Sequence, residues 1–316
     1  MIEPGISNLF GDLDVDATPD AHVGAMTWYG IGGRADVLVS PKSIDDLLAL
    51  FRRCRQTETP IRILGAGANL LVSDEGVDGV VVKLDAPALR QTTFSPDGNK
   101  TLLLAMAGAD MAKTLMDAAR RGLDGLTQMA GIPASVGGAI RMNAGGAFGT
   151  ISDQLQRVDC LTNMGELRTY DRSEIEFGYR SCNIKDPIIL AATFCLQAAD
   201  PIEVRKRVKE IFAFKKSTQP LSDHSAGCTF KNPPSDRSGN YGTAGQLIDE
   251  AGLKGARIGG ALISTQHANF IITKPEATAT DVEKLLELVQ STVAEKFGVV
   301  LEREIKVWHR DGGATQ

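Results

Sequence analysis

The sequence predicts a fold that mixes β-strands with α-helices and divides into two or three domains. Strand-like and helix-like stretches follow one another along the chain. The length of 316 residues exceeds what one hydrophobic core usually holds. Two glycine-rich stretches, 65–71 and 131–149, are associated with predicted strands in the first half of the chain. Together these observations predict an α and β protein with a ligand site built from backbone loops.

The first two hundred residues carry the alternating elements. Ser43 and Asp46 form a capping-box-like start for a helix with one apolar face, and a second helix is predicted over 110–121. Residues 1–20 are acidic and lack periodicity, so we expect a loose arm there. Strands are predicted at 35–39, 61–64, 80–84, 101–106, 158–161 and 188–196.

A domain boundary is predicted just before Pro201, which opens a helix that reaches about residue 214. Beyond it, the pattern predicts a helix at 245–251 and strands near 261–263 and 270–272. A long helix is predicted to be capped by Thr280 with Glu283 three residues on, and residues 299–308 to end the chain as a strand.

The composition excludes several classes of protein. A net charge of −5 argues against general binding to nucleic acid or to a membrane surface, and no apolar run is long enough to span a bilayer. The acidic start does not resemble a signal peptide, so we expect a cytoplasmic protein. The 5 cysteines are scattered without a C-x-x-C pair, which predicts neither a disulfide framework nor a metal site.

Both glycine-rich stretches fit an anionic ligand. In 65–71 the small residues let backbone N–H groups approach an anion with no Cβ in the way, although the third glycine of a dinucleotide fingerprint is missing. The stretch 131–149 reads as roughly one loop that allows close backbone approach to a ligand. A tight turn explains either stretch alone. Two of them favour one bound dinucleotide whose pyrophosphate they share.

A third stretch, 225–233 with the sequence SAGCTFKNP, sets a thiol, a cation and an amide on a tight turn. Neither Ala226 nor Gly227 has a side chain that covers Cys228, so a substrate can reach the thiol. The alternative is an ordinary buried cysteine, which is common in protein cores.

These stretches are joined by further motifs, and together they resemble the MurB family of UDP-N-acetylenolpyruvoylglucosamine reductases, in its short-loop subgroup. The resemblance covers about residues 27–308. The motifs, in the family's order, are 27–33 (TWYGIGG), 65–74, 131–149, 177–181 (FGYRS), 219–221 (QPL), 225–233, 251–255 (AGLKG), 267–270 (HANF) and 301–305 (LEREI). The spacing around Asn240 to Gln246 is what favours the short-loop subgroup.

The resemblance implies an α+β chain with a two-subdomain FAD-binding fold of the vanillyl-alcohol-oxidase type and a smaller α+β substrate domain. It implies an FAD domain over 21–200, with subdomains 21–88 and 89–200, and a C-terminal substrate domain over 201–316 whose last strand returns toward the active site. It further implies that NADPH reduces non-covalent FAD, which passes a hydride to the enolpyruvyl ether of a UDP-sugar. We expect a monomer.

Site residues also follow from the resemblance. Cys228 falls where the family usually has a proton-donating Ser, Arg180 corresponds to the catalytic Arg, and Glu304 to the catalytic Glu. The implied substrate-binding residues are Lys215, Lys216, Gln219, Lys231, Asn232 and His267. The implied cofactor-binding residues are Tyr29, Ile31, Gly65, Ala66, Gly67, Ala68, Asn69, Leu70, Gly131, Ile132, Pro133, Ser135, Val136, Gly137, Gly138, Asn143, Ala144 and Gly145.

The chain departs from the family pattern at several positions besides Cys228, and two other functions stay open. Thr218 stands where a Lys sometimes precedes Gln-Pro, and Gly30 where Arg is usual. One alternative is another oxidase or dehydrogenase of the same flavin fold, which does not explain the SAGCTFKNP stretch. The other is a non-catalytic flavin- or nucleotide-sugar-binding protein, which does not explain why all three polar catalytic matches are present.

Overall fold

A computed structural model describes residues 8–234 and 242–310 of the chain. Over these residues the chain folds into two compact units. The first unit comprises residues 8–20, 36–66 and 79–214. The second unit comprises residues 21–35, 67–78, 215–234 and 242–310. Residues 1–7 of the predicted arm, 311–316 of the predicted substrate domain and Asn240 of the subgroup assignment lie outside the described residues.

The elements alternate along the chain much as the pattern predicts. The helices are α1 (Ile44–Gln56), α2 (Met111–Arg120), α3 (Val136–Arg141), α4 (Pro201–Thr218), α5 (Ala244–Glu250) and α6 (Ala279–Phe297). The strands are β1 (Val15–Ala21), β2 (Ala35–Pro41), β3 (Ile61–Leu64), β4 (Leu70–Val72), β5 (Val77–Lys83), β6 (Thr92–Asp97), β7 (Lys100–Met106), β8 (Leu123–Asp124), β9 (Gly145–Gly146), β10 (Gly149–Thr150), β11 (Leu155–Leu161), β12 (Leu167–Asp171), β13 (Phe177–Gly178), β14 (Ser181–Cys182), β15 (Ile188–Ala198), β16 (Arg257–Ile258), β17 (Ala261–Ile263), β18 (Ile271–Thr273) and β19 (Lys306–Trp308).

Two sheets organise the first unit. One has the order β1-β2-β5-β3, with β3 and β5 parallel, so that the glycine-rich stretch after β3 starts at the end of a half-buried strand. The other has the order β12-β11-β15-β7-β6, with β8 also beside β15. Residues of β15 are buried from Ile188 to Leu196, a mostly apolar run interrupted by Thr193, as expected for a central strand.

Helix α1 shows how local sequence fixes an element of this unit. Ser43 Oγ accepts a hydrogen bond from the backbone N–H of Asp46 at 3.1 Å, which confirms the predicted N-cap. The helix buries Leu47, Leu50 and Phe51 at a spacing that lines one face. The predicted capping pattern and apolar face therefore correspond to one amphipathic helix packed on the core.

The N-terminal region differs from the loose arm expected over residues 1–20. Leu9 and Phe10 are buried in the core of the first unit, and Val15–Ala21 forms β1 beside β2. Most residues of β1 are exposed, so this strand carries little hydrophobic periodicity. Pairing with a distant strand orders it, which the local sequence does not signal.

The glycine-rich stretch 131–149 is not a single loop. It contains α3, whose N-cap Ser135 accepts a hydrogen bond from Gly138 N at 3.3 Å. Val136, Ala139 and Ile140 are buried at positions i, i+3 and i+4, and this spacing supports a helix despite the two glycines.

The second unit assembles segments that are far apart in sequence. Strand β4 pairs in parallel with β19, with Leu70 opposite Lys306. Strands β16, β17 and β18 form an antiparallel sheet, and the apolar face of α6 is buried in the same core. The pairing of β4 with β19 explains why residues 67–78 pack with the C-terminal part of the chain. The two compact units do not follow chain order, and the predicted domain boundaries at residues 88 and 200 stay predictions.

The N-cap of α6 is Thr278, two residues before the predicted Thr280. Thr278 Oγ1 accepts a hydrogen bond from Asp281 N at 3.1 Å. Thr280 lies in the first turn, where its N–H and hydroxyl both donate to Asp74, at 2.9 and 2.7 Å, and Ala279 N donates to the same carboxylate at 2.8 Å. A carboxylate from the 67–78 stretch thus completes the cap.

Replacing Asp74 with alanine is expected to lower the free energy of unfolding by about 1–2 kcal/mol, because three N-terminal donors of α6 lose a charged acceptor. Urea titration measures the change, with Asp97→Ala on exposed β6 expected to stay within about 0.5 kcal/mol of the parent. Equal midpoints for the two variants would contradict the cap.

Within residues 8–234 and 242–310, no helix combines the length and apolar character needed to cross a bilayer. The same residues contain no cluster of three or more His, Cys, Asp or Glu side chains arranged to hold a metal ion.

Candidate active site

The two predicted cofactor loops approach each other in the first unit. Gly65 directly follows β3, and a Cβ built on it would lie 2.7 Å from Ser135 Oγ. Ser135 in turn forms a β-bridge with Asp110 and caps α3. A side chain at position 65 would displace Ser135 Oγ, the group that caps α3. The paired loops form a backbone surface consistent with the expected pyrophosphate site.

Gly137 lies in the stretch predicted to bind the cofactor and also has a packing role in α3. A Cβ at this position would lie 2.8 Å from Ala107 Cβ, and Gly137 N donates to Ala107 O at 2.9 Å. The missing side chain therefore allows α3 to pack against the stretch after β7. A bulky residue here would meet Ala107 inside the protein, whatever ligand the loop binds.

Asn143 is the best candidate in this unit for a polar contact to a ligand. It is buried with φ at +40°, and its Nδ2 donates to Gly178 O at 3.0 Å. Its buried Oδ1 has no hydrogen-bond partner among the described residues. Because buried amide oxygens are almost always paired, this atom indicates a site for a donor from outside the chain. The predicted FAD loop therefore fits a polar cofactor.

Arg180 lies in the turn between β13 and β14, with φ at +55°. A non-glycine residue in this region costs about 1 kcal/mol, and such strain is concentrated at functional sites. The side chain is partly exposed, and its guanidinium lies 5.2 Å from the centre of the Tyr179 ring.

The end of α3 fixes this hairpin. Arg141 donates to Ile184 O at 2.7 Å and to Asp186 O at 2.6 Å, while Asn143 holds Gly178 on the other side. The stretch predicted to bind the cofactor thus also positions the hairpin that carries Arg180. The resemblance did not assign a role to Arg141. The sequence signal that could have identified it is an arginine within a stretch of small residues.

The remaining candidates of the first unit differ in exposure. The buried candidates, in addition to Gly137 and Asn143, are Val136 and Gly145. The exposed candidates are Gly65 and Gly138. Partly exposed positions are Ala66, Gly131, Ile132, Pro133, Ser135 and Ala144.

The other half of the first glycine loop lies in the second unit. Gly67 adopts φ +67°, and a Cβ there would lie 2.7 Å from Met26 O. Asn69 Nδ2 donates to Glu304 O at 3.2 Å, and Lys306 N donates to Asn69 O at 3.0 Å. Asn69 therefore joins this loop to the segment that carries Glu304.

The neighbouring candidates Ala68 and Leu70 continue from this loop into β4. Tyr29 and Ile31 are buried in the core of the second unit. Burial raises the pKa of Tyr29, and its hydroxyl has no hydrogen-bond partner among the described residues. Thr273 Oγ1 donates to Tyr29 O at 2.7 Å, which anchors the TWYGIGG stretch to β18.

Cys228 and Glu304 lie on adjacent extended segments of the second unit. Phe230 forms a β-bridge with Arg303, and Glu304 N donates to Thr229 O at 2.8 Å. Cys228 forms a bridge with Phe270 on the other side. Glu304 is buried, whereas Cys228 is partly exposed and so can be reached by a small molecule. The structure thus brings together two of the three predicted catalytic residues, and Arg180 belongs to the first unit.

The predicted substrate-binding residues also belong to the second unit. Lys231 Nζ donates to Glu302 Oε1 at 2.5 Å. Asn232 Oδ1 accepts from Ala244 N at 3.0 Å, at the start of α5. Lys215 is buried near the end of α4, while Lys216 is exposed and Gln219 partly exposed. The two predicted cations at the end of α4 therefore have different environments.

His267 is joined to the end of α4 by its neighbour Gln266, whose Nε2 donates to Ser217 O at 3.2 Å. The ring of His267 stacks edge-on against Phe270, and its Nδ1 accepts a hydrogen bond from Asn269 N at 3.2 Å. The neutral ring therefore carries its proton on Nε2. Burial lowers the pKa of His267, so its contribution to stability is present above about pH 6.5 and is lost as the pH falls.

Comparison with known proteins decides the family. Residues 219–308 match the family model for the C-terminal domain of UDP-N-acetylenolpyruvoylglucosamine reductase, and residues 35–171 match an FAD binding domain. The reductase of that name from Listeria welshimeri is 42% identical over 287 residues, which are 90% of this chain and 93% of the relative. The chain belongs to the UDP-N-acetylenolpyruvoylglucosamine reductase family.

Other members of the reductase family agree over nearly the whole chain. The reductase from Pediococcus pentosaceus is 40% identical over 309 residues, covering 97% of this chain and 98% of the relative. The crystal structure of the reductase from Thermus caldophilus superposes with a TM-score of 0.76 at 37% identity, covering 94% of this chain and 99% of that one. The predicted family, the FAD-binding fold with a C-terminal α+β domain, and the class of flavin-dependent oxidoreductase are confirmed.

Replacing Gly65 with alanine is expected to weaken FAD binding by about 1–3 kcal/mol, because its Cβ would lie inside the contact distance of Ser135 Oγ. The matched control is Gly146→Ala, since no atom of the described residues lies within 4 Å of a Cβ built there. Fluorescence titration of the apoprotein with FAD measures both affinities. Equal dissociation constants for the two variants would show that the contact of the loops does not shape the cofactor site.

Proposed function

We propose that this protein catalyses the NADPH-dependent reduction of UDP-N-acetylglucosamine enolpyruvate to UDP-N-acetylmuramate, a step of peptidoglycan precursor synthesis. The observation that carries the proposal is the pairing of the Cys228 segment with the Glu304 segment in the second unit. This pairing sets a reachable thiol on a segment beside the one that carries a buried glutamate, within the region that matches the reductase C-terminal domain. Another oxidase of the same flavin fold does not account for this region.

FAD, when bound by the glycine loops, would accept a hydride from NADPH and deliver it to the β-carbon of the enolpyruvyl ether. The residues proposed to hold it are those of stretches 65–70 and 131–145 together with Tyr29 and Ile31. Asn143 Oδ1 supplies a hydrogen-bond acceptor toward the cofactor.

Hydride addition at the β-carbon places negative charge on the α-carbon and its carboxylate. Arg180 is proposed to bind this carboxylate with two parallel N–H donors, because a guanidinium matches carboxylate geometry. Stabilising charge that develops only in the transition state raises the rate of the chemical step. The fixed turn beneath Arg180 limits the reorientation needed for this contact.

Cys228 is proposed to protonate the α-carbon and so complete the saturated ether. A neutral thiol loses its proton near about pH 8.5 in the absence of perturbing groups, so it is a competent acid at neutral pH. Glu304 is proposed to orient the substrate or Arg180. Lys215, Lys216, Gln219, Lys231, Asn232 and His267 are proposed to hold the UDP-sugar.

The proposal is tested by following NADPH absorbance when the purified, FAD-loaded protein receives the enolpyruvyl substrate. We expect oxidation of NADPH in step with formation of the lactyl ether, detected by mass spectrometry. Oxidation of NADPH at the same rate with and without the substrate would contradict the proposal. We place the reaction in the cytoplasm and expect a monomer, which sedimentation analysis tests.

A further inference from the structure

Asn269 has a buried side-chain amide that binds the segment following Cys228. The residue is 3% exposed and directly precedes Phe270, the bridge partner of Cys228. Its Oδ1 accepts from Phe230 N at 2.9 Å and from Thr229 Oγ1 at 3.1 Å. Its Nδ2 donates to Phe230 O at 2.8 Å. The Asn269 amide thus bonds both the N–H and the C=O of Phe230, which lies two residues after Cys228.

The register of the neighbouring segment explains why an amide is needed there. Lys231 N donates to Glu302 O and Glu304 N donates to Thr229 O, both flanking the bridge between Phe230 and Arg303. In such an antiparallel pair the bridged residues point their own N–H and C=O groups away from each other. The backbone of Phe230 therefore faces Asn269, whose side chain takes the place of a strand.

The backbone of Asn269 adds two further anchors. Its carbonyl accepts from Thr229 N at 2.9 Å, and its N–H donates to His267 Nδ1 at 3.2 Å. Asn269 is thereby fixed between His267 and the Thr229 backbone. A buried amide bonded through both its oxygen and its nitrogen restricts its partners to one arrangement, whereas an apolar residue would leave Phe230 N and O without these partners.

We infer that Asn269 is a positioning residue that holds the Cys228 thiol in place for proton transfer. The inference rests on the proposed function, in which this thiol is the acid. Gly227 has φ +77°, and no atom of the described residues lies within 4 Å of a Cβ built there, so it gives the chain little restraint on the other side of Cys228. The hydrogen bonds to Asn269 therefore supply much of the order of the segment around Cys228. Their loss should affect the proton transfer for which the thiol is needed.

The test uses the full-length, FAD-loaded protein and three variants. Asn269→Ala removes the whole amide. Thr229→Val keeps the shape of the side chain and removes its hydroxyl, which donates to Asn269 Oδ1 at 3.1 Å and to Asn269 O at 3.4 Å. Ser73→Ala is the matched control, because it deletes a buried side-chain bond to a backbone carbonyl, Gly76 O, elsewhere in the second unit.

The first readout is the rate at which iodoacetamide alkylates Cys228, followed by mass spectrometry of its peptide. We expect it to rise about tenfold in Asn269→Ala and about threefold in Thr229→Val, because loss of the bonds raises the population of locally open segments. Ser73→Ala is expected to match the parent. This readout does not depend on turnover, so it still decides the inference about order if the proposed reaction is wrong.

The second readout compares the two half-reactions by stopped flow. In Asn269→Ala, product formation is expected to fall about tenfold to hundredfold while flavin reduction by NADPH stays within twofold, since displacing a reacting group by about 1 Å can cost that much. A purely structural role would lower both rates together. If Asn269→Ala does not fold, Thr229→Val carries the decision. Alkylation and product formation in Thr229→Val equal to those of Ser73→Ala would overturn the inference.

Discussion

Cys228→Ala is expected to lose most product formation, by about 10²–10⁴-fold, while the reduction of FAD by NADPH continues near the parent rate. The reason is that the thiol is proposed to act only after hydride delivery, as the acid that protonates the α-carbon. Stopped-flow absorbance of the flavin separates the two half-reactions. Cys195→Ala removes a buried thiol on β15 and is expected to leave both rates per folded molecule unchanged.

Cys228→Ser gives the corresponding test of proton donation. A hydroxyl does not ionise in the range where an ordinary thiol does, near about pH 8.5, so the alkaline limb of turnover should move upward in this variant. Measurable activity should remain, because a hydroxyl can still donate a proton. If Cys228→Ala turned over at the parent rate, or the pH profile of Cys228→Ser matched that of the parent, an ordered water would become the preferred donor.

Arg180→Gly is expected to change activity and stability in opposite directions. Removal of the guanidinium should slow reoxidation of the flavin by the enolpyruvyl substrate, because it raises the activation free energy of this step by about 2–4 kcal/mol. This is the usual effect of losing one hydrogen-bond donor to a charge that develops in the transition state. Stability should be equal or higher by up to about 1 kcal/mol, because glycine accepts the φ of +55° that strains Arg180. The rate of flavin reoxidation in Arg180→Lys should lie between those of the parent and Arg180→Gly, since an ammonium keeps the charge without the paired donors.

Glu58→Gly is the matched control for this prediction. Glu58 also has a positive φ, +54°, and lies exposed just after α1. We expect it to gain stability to a similar degree with unchanged flavin kinetics. Chemical denaturation and stopped flow on both variants give the comparison. A parallel loss of flavin reduction by NADPH in Arg180→Gly would contradict the assigned role.

Local sequence predicts the elements whose determinants are local. Ser43 and Asp46 are close enough to identify the start of α1 by themselves, and the apolar run at 188–196 is sufficient to predict β15. The start of α6 is different. Thr278 and Thr280 each have an acidic residue three positions later, and Asp74, about two hundred residues away, accepts the hydrogen bonds from Thr280. No local pattern distinguishes the two threonines.

The candidate site has the same mixture of local and distant determinants. The resemblance assigned Cys228 and Glu304 through the SAGCTFKNP and LEREI motifs, and the structure joins their segments through hydrogen bonds that span more than seventy residues. Asn269 stood in the HANF motif without an assigned role, because its partners Thr229 and Phe230 are forty and thirty-nine residues away. The sequence signal for Asn269 was only its position as a polar residue directly before the apolar residues that lead into β18. Buried amides of this kind become interpretable only when their partners are known.

The parallel pairing of β4 with β19 also bears on how the chain reaches its folded state during translation. The pair joins Leu70 to Lys306, so a ribosome must release nearly the whole chain before this contact can form. Until then, β4 has an unpaired edge. The carboxylate of Asp74 also lacks its hydrogen-bond donors, because they belong to the helix that begins at Ala279. We expect a fragment limited to residues 219–308 to be poorly soluble, because it lacks both of these earlier stretches. Supplying residues 21–78 on a separate chain should restore part of its solubility.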